Sequence, residues 1–143
     1  MEIAQLIASR SASAVITCDA NASVADACKL LAEKRIGAVP VLENGSLAGI
    51  FSERDVLYNL AKDGSGSLAC RVGDIMTAPA ITVEKSTRVD EALGLMTRRR
   101  IRHLPVTDNG AMCGFISIGD LVKSRIDEVE HEAQAMREYI TTG

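Results

Sequence analysis

The apolar positions of this chain fall into two sets with the same spacing. Val24, Ala27, Cys28 and Leu31 stand at i, i+3, i+4 and i+7, and so do Val89, Ala92, Leu93 and Met96. That spacing puts each set on one face of a helix. After each helical face come an apolar run, an Asn-Gly pair and a second apolar run, "AVPVLENGSLAGIFS" and "HLPVTDNGAMCGFIS". Asn-Gly between strand-like runs predicts a β-hairpin, because both turn residues must reach positive φ. Pro40 and Pro105 cannot donate to a ladder, so they belong at a strand start or an edge. Ser23 with Asp26, and Thr87 with Asp90, fit caps at helix N-termini. A short strand at Ile16-Thr17 or Ile81-Thr82 precedes each helix, and a second helix follows Ser52 or Ser117. The predicted order is β-α-β-β-α, twice.

A shift of 65 residues lays one set on the other without a gap. Ile16-Thr17 falls on Ile81-Thr82, Arg35-Ile36 on Arg100-Ile101, and Pro40-Val41 on Pro105-Val106. Asn44-Gly45 falls on Asn109-Gly110, Gly49 on Gly114, Ser52 on Ser117, and Asp55 on Asp120. Self-similarity at a fixed period marks a structural repeat. The predicted fold is α/β, of the α+β type, in a single module over residues 1–143. The first repeat spans 11–62, the second 76–125, and a helical tail 126–143. The stretch "KDGSGSLACRVGDIMTAPA" reads as a linker, Gly/Ser-rich and then apolar. From Gly119 a long helix runs without a breaker. Its residues Val122, Ile126, Val129, Ala133, Met136 and Ile140 alternate steps of four and three, a seam of nearly three heptads. Its own domain and a partner helix across a dimer are both open as the surface that covers it.

Composition narrows the functional classes. Net charge is −3 and aromatics are 3% with no Trp, which opposes nucleic-acid binding: there is no global attraction and little to stack bases on. The four cysteines form no CxxC pair, have no His at metal-ligand spacing, and sit in apolar runs. They read as small core residues of a reducing compartment. No apolar run approaches the ~20 residues of a membrane span. "MEIAQLIASR" lacks a basic start and a signal core, so a cytoplasmic protein is expected. No Ser/His/Asp constellation, P-loop or metal cluster is visible, so an enzyme is not expected.

The two matched pieces, together with "VGDIMT" in the linker, resemble a tandem pair of CBS (cystathionine-β-synthase) domains, a Bateman module. The resemblance covers nearly the whole chain. It implies two β-α-β-β-α units about a pseudo-twofold axis, two clefts for adenosine-containing ligands, and frequent dimerisation.

Gly-h-h-Ser-x-x-Asp occurs twice, from Gly49 to Asp55 and from Gly114 to Asp120. Ser-x-x-Asp at a strand-to-helix junction is a capping box, worth about 1 kcal/mol. A carboxylate there can also accept from two vicinal ribose hydroxyls, and the resemblance implies that it does. A strand threonine is commonly just a β-former. The resemblance implies that Thr17 serves the cleft of Asp120, and Thr82 that of Asp55. It assigns Thr17, Ile36, Gly37, Ala38, Arg102, His103, Phe115, Ser117 and Asp120 to a first cleft. A second takes Thr82, Ile101, Arg102, Ile50, Ser52, Arg54 and Asp55. Arg102 and His103 replace Gly37 and Ala38 of the first repeat, and a phosphate suits Arg's planar fork. Arg98 and Arg99 match Glu33 and Lys34, so they read as solvated charges. Arg100 matches Arg35 and reads as structural. The expected ligand is an adenine nucleotide, AMP first, with ATP, ADP or NAD as alternatives. No other cofactor and no metal is expected. The partners expected are a second copy and an unknown protein target. The competing reading is a nucleic-acid-binding protein using the basic cluster at residues 98–102.

Overall fold

Two Asn-Gly turns set the frame. Asn44 and Gly45 have φ of 52° and 80°, Asn109 and Gly110 of 52° and 83°, the left-handed pair that a two-residue hairpin demands. They join β2 (Ala38–Glu43) to β3 (Ser46–Ser52), and β5 (His103–Asp108) to β6 (Ala111–Ser117). The computed structural model describes residues 1–8 and 15–142. The start read for the first repeat, residue 11, lies outside the described residues.

Each repeat holds one three-stranded sheet, ordered β1-β2-β3 and β4-β5-β6. β1 (Cys18–Asp19) and β4 (Val83–Glu84) lie two residues beyond the Ile16-Thr17 and Ile81-Thr82 expected from the sequence. The prolines are the reason. Cys18 pairs with Val41 and Val83 with Val106, each the first residue after the proline. The parallel ladder begins only where β2 or β5 again has an N–H. β2 and β5 are therefore central strands, with Pro40 and Pro105 just before the doubly paired part. Both hairpins carry the same irregularity, between Val41 and Leu42 and between Val106 and Thr107.

Helices α2 (Val24–Lys34) and α5 (Val89–Arg99) cover the sheets with the faces read from the spacing. Val24, Ala27 and Leu31 are buried in one core, and Val89, Ala92 and Met96 in the other. Ser23 caps α2 as expected, accepting from the Asp26 N–H at 3.1 Å. Thr87 does not cap α5. Its hydroxyl accepts from the Glu84 N–H at 3.2 Å, and the Val89 N–H goes to the Met1 carbonyl at 2.9 Å. α3 (Glu53–Asp63) and α6 (Ile118–Thr142) follow the hairpins. α6 passes unbroken from the second repeat into the tail, so residue 126 marks no joint.

The linker and the N-terminus are more structured than their sequences suggest. A 3₁₀ turn over Gly64–Ala69 leads into α4 (Val72–Ile75), and α1 spans Ile3–Ile7. Each packs on the repeat that it does not precede. Val72, fully buried, joins the core of Val24, Val39 and Phe51. Ile3, fully buried, joins the core of Val89, Leu104 and Ile116. The backbone bonds match: Val72 N–H to Ala22 O (2.8 Å) and Gly73 N–H to Ala20 O (2.9 Å), against Ile3 N–H to Thr87 O and Ala4 N–H to Lys85 O, both 2.9 Å. Ala20 and Ala22 map onto Lys85 and Thr87 by 65 residues, whereas Ile3 maps onto Val72 by 69. The first copy therefore has four more residues between its crossing helix and its first strand.

Of the cysteines, Cys18 is buried and Cys28 and Cys113 pack against the two cores, as expected. Cys70 is exposed instead. Burial raises the thiol pKa of Cys18, Cys28 and Cys113 above the ordinary value, which keeps them unreactive.

Gly49 and Gly114 occupy the same place beside the bulge but meet different neighbours. A Cβ at Gly49 would lie 2.6 Å from the Thr77 carbonyl oxygen and 2.9 Å from Met76 Sδ. At Gly114 it would lie 3.3 Å from the Ile7 Cδ1 methyl, which can rotate away. Gly49→Ala should cost about 1–3 kcal/mol through overpacking, and Gly114→Ala distinctly less. Urea unfolding of the two variants decides it. Equal losses would mean that the Thr77 backbone yields as easily as a side-chain tip.

Candidate functional site

The site grows from the capping box at the start of α3. Asp55 Oδ2 accepts from the Ser52 N–H at 2.9 Å and from the Ser52 hydroxyl at 3.1 Å. Its Oδ1 accepts from the Thr77 hydroxyl at 2.9 Å. Thr77 is itself fixed, since its N–H and carbonyl both bond to Ile50 at 2.9 Å. The carboxylate is thus pinned by the strand end, the helix start and the linker at once. It stands in a cavity of about 380 Å³, lined by Gly37, Ala38, Ile50, Ser52, Glu53, Arg54, Thr77, Pro79, Ala80, Ile81, Ile101, Arg102 and His103. That size lies within the ~300–1,000 Å³ range of small-ligand pockets.

The segments before β2 and β5 meet here. The Glu53 N–H donates to the Gly37 carbonyl at 3.0 Å, and the Ile118 N–H to the Arg102 carbonyl at 2.8 Å. The same bond in each repeat ties the residue three places before the proline to the start of the following helix. A Cβ on Gly37 would lie 3.6 Å from His103 Cε1 and 3.7 Å from Glu53 Cδ. These are ordinary contact distances, so His103 and Glu53 pack around this point of the backbone.

Of the residues read for the second cleft, Ile50, Ser52, Arg54, Asp55, Ile101 and Arg102 come together here. Thr82 does not. It is exposed, one step past the wall made by residues 77–81. The hydroxyl on Asp55 belongs to Thr77, because the Ile50 pairing brings the chain across the cleft five residues earlier. Sequence reasoning missed Glu53, Thr77, Pro79, Ala80 and Ile81. The available signal was Thr77, the last residue of "VGDIMT".

The residues read for the first cleft divide. Gly37, Ala38, Arg102 and His103 line the Asp55 cavity; the sequence places Arg102 in both clefts, and Gly37, Ala38 and His103 in the first alone. The segments before β2 and β5 meet at this cavity, which sets residues 101–103 against the first repeat's side. Phe115, Ser117 and Asp120 group around His103. The His103 and Phe115 rings stack at 5.5 Å and 14°. Ser117 pairs with His103 across the sheet, and Asp120 Oδ2 accepts from the Ser117 N–H at 2.9 Å. Ile36 packs on the first core. Thr17 lies half-buried just before β1. By the 65-residue shift, the wall facing Asp120 would come from residues 12–16, of which 12–14 lie outside the described residues.

Charge in the cavity is mixed. Arg102 is exposed, and Arg54 Nη1 donates to the Arg100 carbonyl at 3.0 Å. Arg100 and Arg35 end their helices in the left-handed conformation, φ 54° and 53°, so both are caps. The basic cluster is split by this turn: Arg98 and Arg99 stay on the last turn of α5, complementing its dipole. No cluster of metal-ligating side chains occurs among the described residues.

A family model for the CBS domain matches the chain twice, over residues 7–62 and 72–127. The chain belongs to the CBS-domain family. Its two CBS repeats are 40% identical over 131 residues to the CBS domain-containing protein CBSX3, mitochondrial, of Arabidopsis thaliana; the match covers 88% of this chain and 64% of that protein. The chain thus spans just under two thirds of that relative. The solved structure of the CBS-domain containing protein ATU1752 from Agrobacterium tumefaciens matches with a TM-score of 0.81 and 35% identity, covering 87% of this chain and 92% of that one. The structure of CBSX2 in complex with AMP matches with a TM-score of 0.74 and 28% identity, covering 88% and 96%.

His103 carries the clearest electrostatic consequence of this packing. Burial lowers its pKa below the usual 6.5, with Asp120 and Glu53 pulling upward and Arg102 downward. The unfolded chain therefore takes up the proton first as pH falls. The stability contribution is complete above about 6.5 and is lost as acidity carries pH below that value. Urea midpoints measured between pH 8 and 5 should fall in the wild type, and His103→Gln should flatten part of that slope. An unchanged slope would place His103 in contact with solvent.

Proposed function

We propose that this CBS pair is a regulatory module that binds an adenine nucleotide in the Asp55 cavity and acts in trans on a protein partner. AMP is the first choice, with ATP, ADP or NAD as alternatives. The module comprises repeats 11–62 and 76–125 with the tail 126–143, works as a homodimer, and has no catalytic role of its own. The observation that carries this reading is the Asp55 carboxylate at a helix start inside a ligand-sized cavity, with Arg54, Arg102 and His103 on its rim. The AMP complex of CBSX2 supports the ligand class. The free thiols suit a reducing compartment. The cytoplasm is one such place, and the mitochondrial name of the Arabidopsis relative points to another.

In this reading Asp55 holds the ribose diol and Arg102 the phosphate. A carboxylate has about four acceptor sites, and Ser52 and Thr77 already take three of them. A diol needs two. Binding therefore competes with the Thr77 hydroxyl, and the linker wall must move or share. That competition turns occupancy into a change of shape.

Calorimetric titration of AMP and adenosine tests the assignment. A hydrogen bond to a charged group is worth roughly 1.5–3 kcal/mol, so Arg102→Ala should weaken AMP about tenfold or more and leave adenosine nearly unchanged. Asp55→Ala should weaken both. With His103 beside the phosphate, AMP affinity should also rise as pH falls from about 8 towards 6. If Asp120→Ala abolishes the tight site while Asp55→Ala spares it, the clefts are reversed. No heat with any adenine nucleotide would remove the proposal.

A further inference from the structure

Glu53 makes a backbone contact that needs no carboxylate. Its N–H donates to the Gly37 carbonyl at 3.0 Å, and in the second repeat Ile118 makes the same bond to Arg102 at 2.8 Å. The shift of 65 residues lays Glu53 on Ile118 and Arg54 on Gly119, so neither charge recurs beside Asp120. A carboxylate in the first turn suits the helix dipole, but Asp55 already supplies one to α3, as Asp120 does to α6. Yet Glu53 lines the cavity. The place that a Cβ would take on Gly37 lies 3.8 Å from Glu53 Oε1 and 3.6 Å from His103 Cε1. The carboxylate and the imidazole therefore border the same point of the wall. The charged groups of that wall are Glu53, Arg54, Asp55 and Arg102, with His103 beside them. His103 is neutral near pH 7, because burial lowers its pKa more than Asp120 and Glu53 raise it, and Arg102 lowers it further.

We infer that Glu53 restricts the Asp55 cavity to nucleoside monophosphates, selecting against di- and triphosphates by charge. This rests on the nucleotide reading above and adds what decides between its ligands. A phosphate monoester carries about 1.5–2 negative charges near neutral pH, which Arg54 and Arg102 match. Each further phosphate adds about one more, and no arginine of the wall is left to meet it. In that reading the phosphate lies at Arg102 and His103, so a longer phosphate chain grows within reach of the Glu53 carboxylate. Like charges repel there, by an amount that scales with the charge on the ligand. Size does not make the selection, since Glu53, Arg54 and Arg102 are all exposed and the rim is open at this end.

Titration of the full chain with AMP and with ATP, at pH 8 and without magnesium, tests the inference. At that pH His103 is neutral, and no divalent cation masks the phosphate chain. The wild type should bind AMP more tightly than ATP. Glu53→Gln keeps the size of the side chain and removes its charge. It should strengthen AMP about twofold and ATP about fivefold or more at low salt, the difference shrinking as salt is added. Glu53→Lys should go further and make ATP the tighter ligand. Glu43→Gln removes an equal charge at the hairpin end of β2, away from the cavity, and should leave the ratio of the two affinities as it is. A wild type that prefers ATP, or a ratio that Glu53→Gln does not move, would overturn the selection while the nucleotide site stood. So would a ratio that Glu43→Gln moves equally, since net charge alone would then account for it. A wild type that binds neither nucleotide would remove the site and the selection together.

Discussion

The exchange of Ile3 and Val72 between repeats holds the rest of the structure in place. Each residue is fully buried in the core of the repeat that its own helix does not precede. A buried branched aliphatic residue is worth roughly 1.5–3 kcal/mol of transfer free energy. Leu6 and Ile7 on one side, and Leu68, Ile75 and Met76 on the other, add to it. Neither three-stranded sheet with its helix closes its core without the loan. The repeats are therefore halves of one unit rather than two beads on a string, and the position of residues 77–81 follows. α4 must reach the first core, and the chain must then return to β4, so it crosses the mouth of the Asp55 cavity.

Asp55 is the point where this architecture becomes chemistry. One carboxylate closes the α3 cap, ties down the strand end through Ser52, and holds Thr77 of the crossing segment. Its neighbour Arg54 reaches across to the carbonyl of Arg100 in the other repeat. His103 packs against Gly37 from the same side. The cavity thus lies at the join of the two repeats, where a small relative movement is felt by every wall. A ligand there bears on the contact between the halves.

Much of this was legible because it is local. The 65-residue shift, the Asn-Gly turns, the helix faces and both Ser-x-x-Asp caps each depend on residues within one short window. The prolines showed that a strand was limited there, but not that they set where the parallel ladder begins. Thr87 looked like a cap because spacing cannot reveal that the Met1 carbonyl takes the Val89 N–H from 88 residues away. The same blindness hid the crossing helices, whose apolar residues are few and whose targets lie in the other repeat. The place of Thr82 outside the cavity, and that of Arg102 and His103 on the Asp55 cavity as well as beside Asp120, have one explanation. The repeat pattern says which residues are equivalent, whereas the cavity is decided by which equivalents cross the axis.

The exchanged helices also fix an order of events on the ribosome. The first repeat is fully spelled out by residue 62, yet its core stays open until Val72 has followed it out. Ile3 must wait about a hundred residues for Leu104, and longer for Ile116 and Leu121, before its socket exists. Contacts of such sequence separation slow folding, because loop closure precedes their reward. The nascent chain therefore carries an apolar helix with nothing to bind until the second repeat has been made, and that interval is its window of exposure to chaperones and to aggregation.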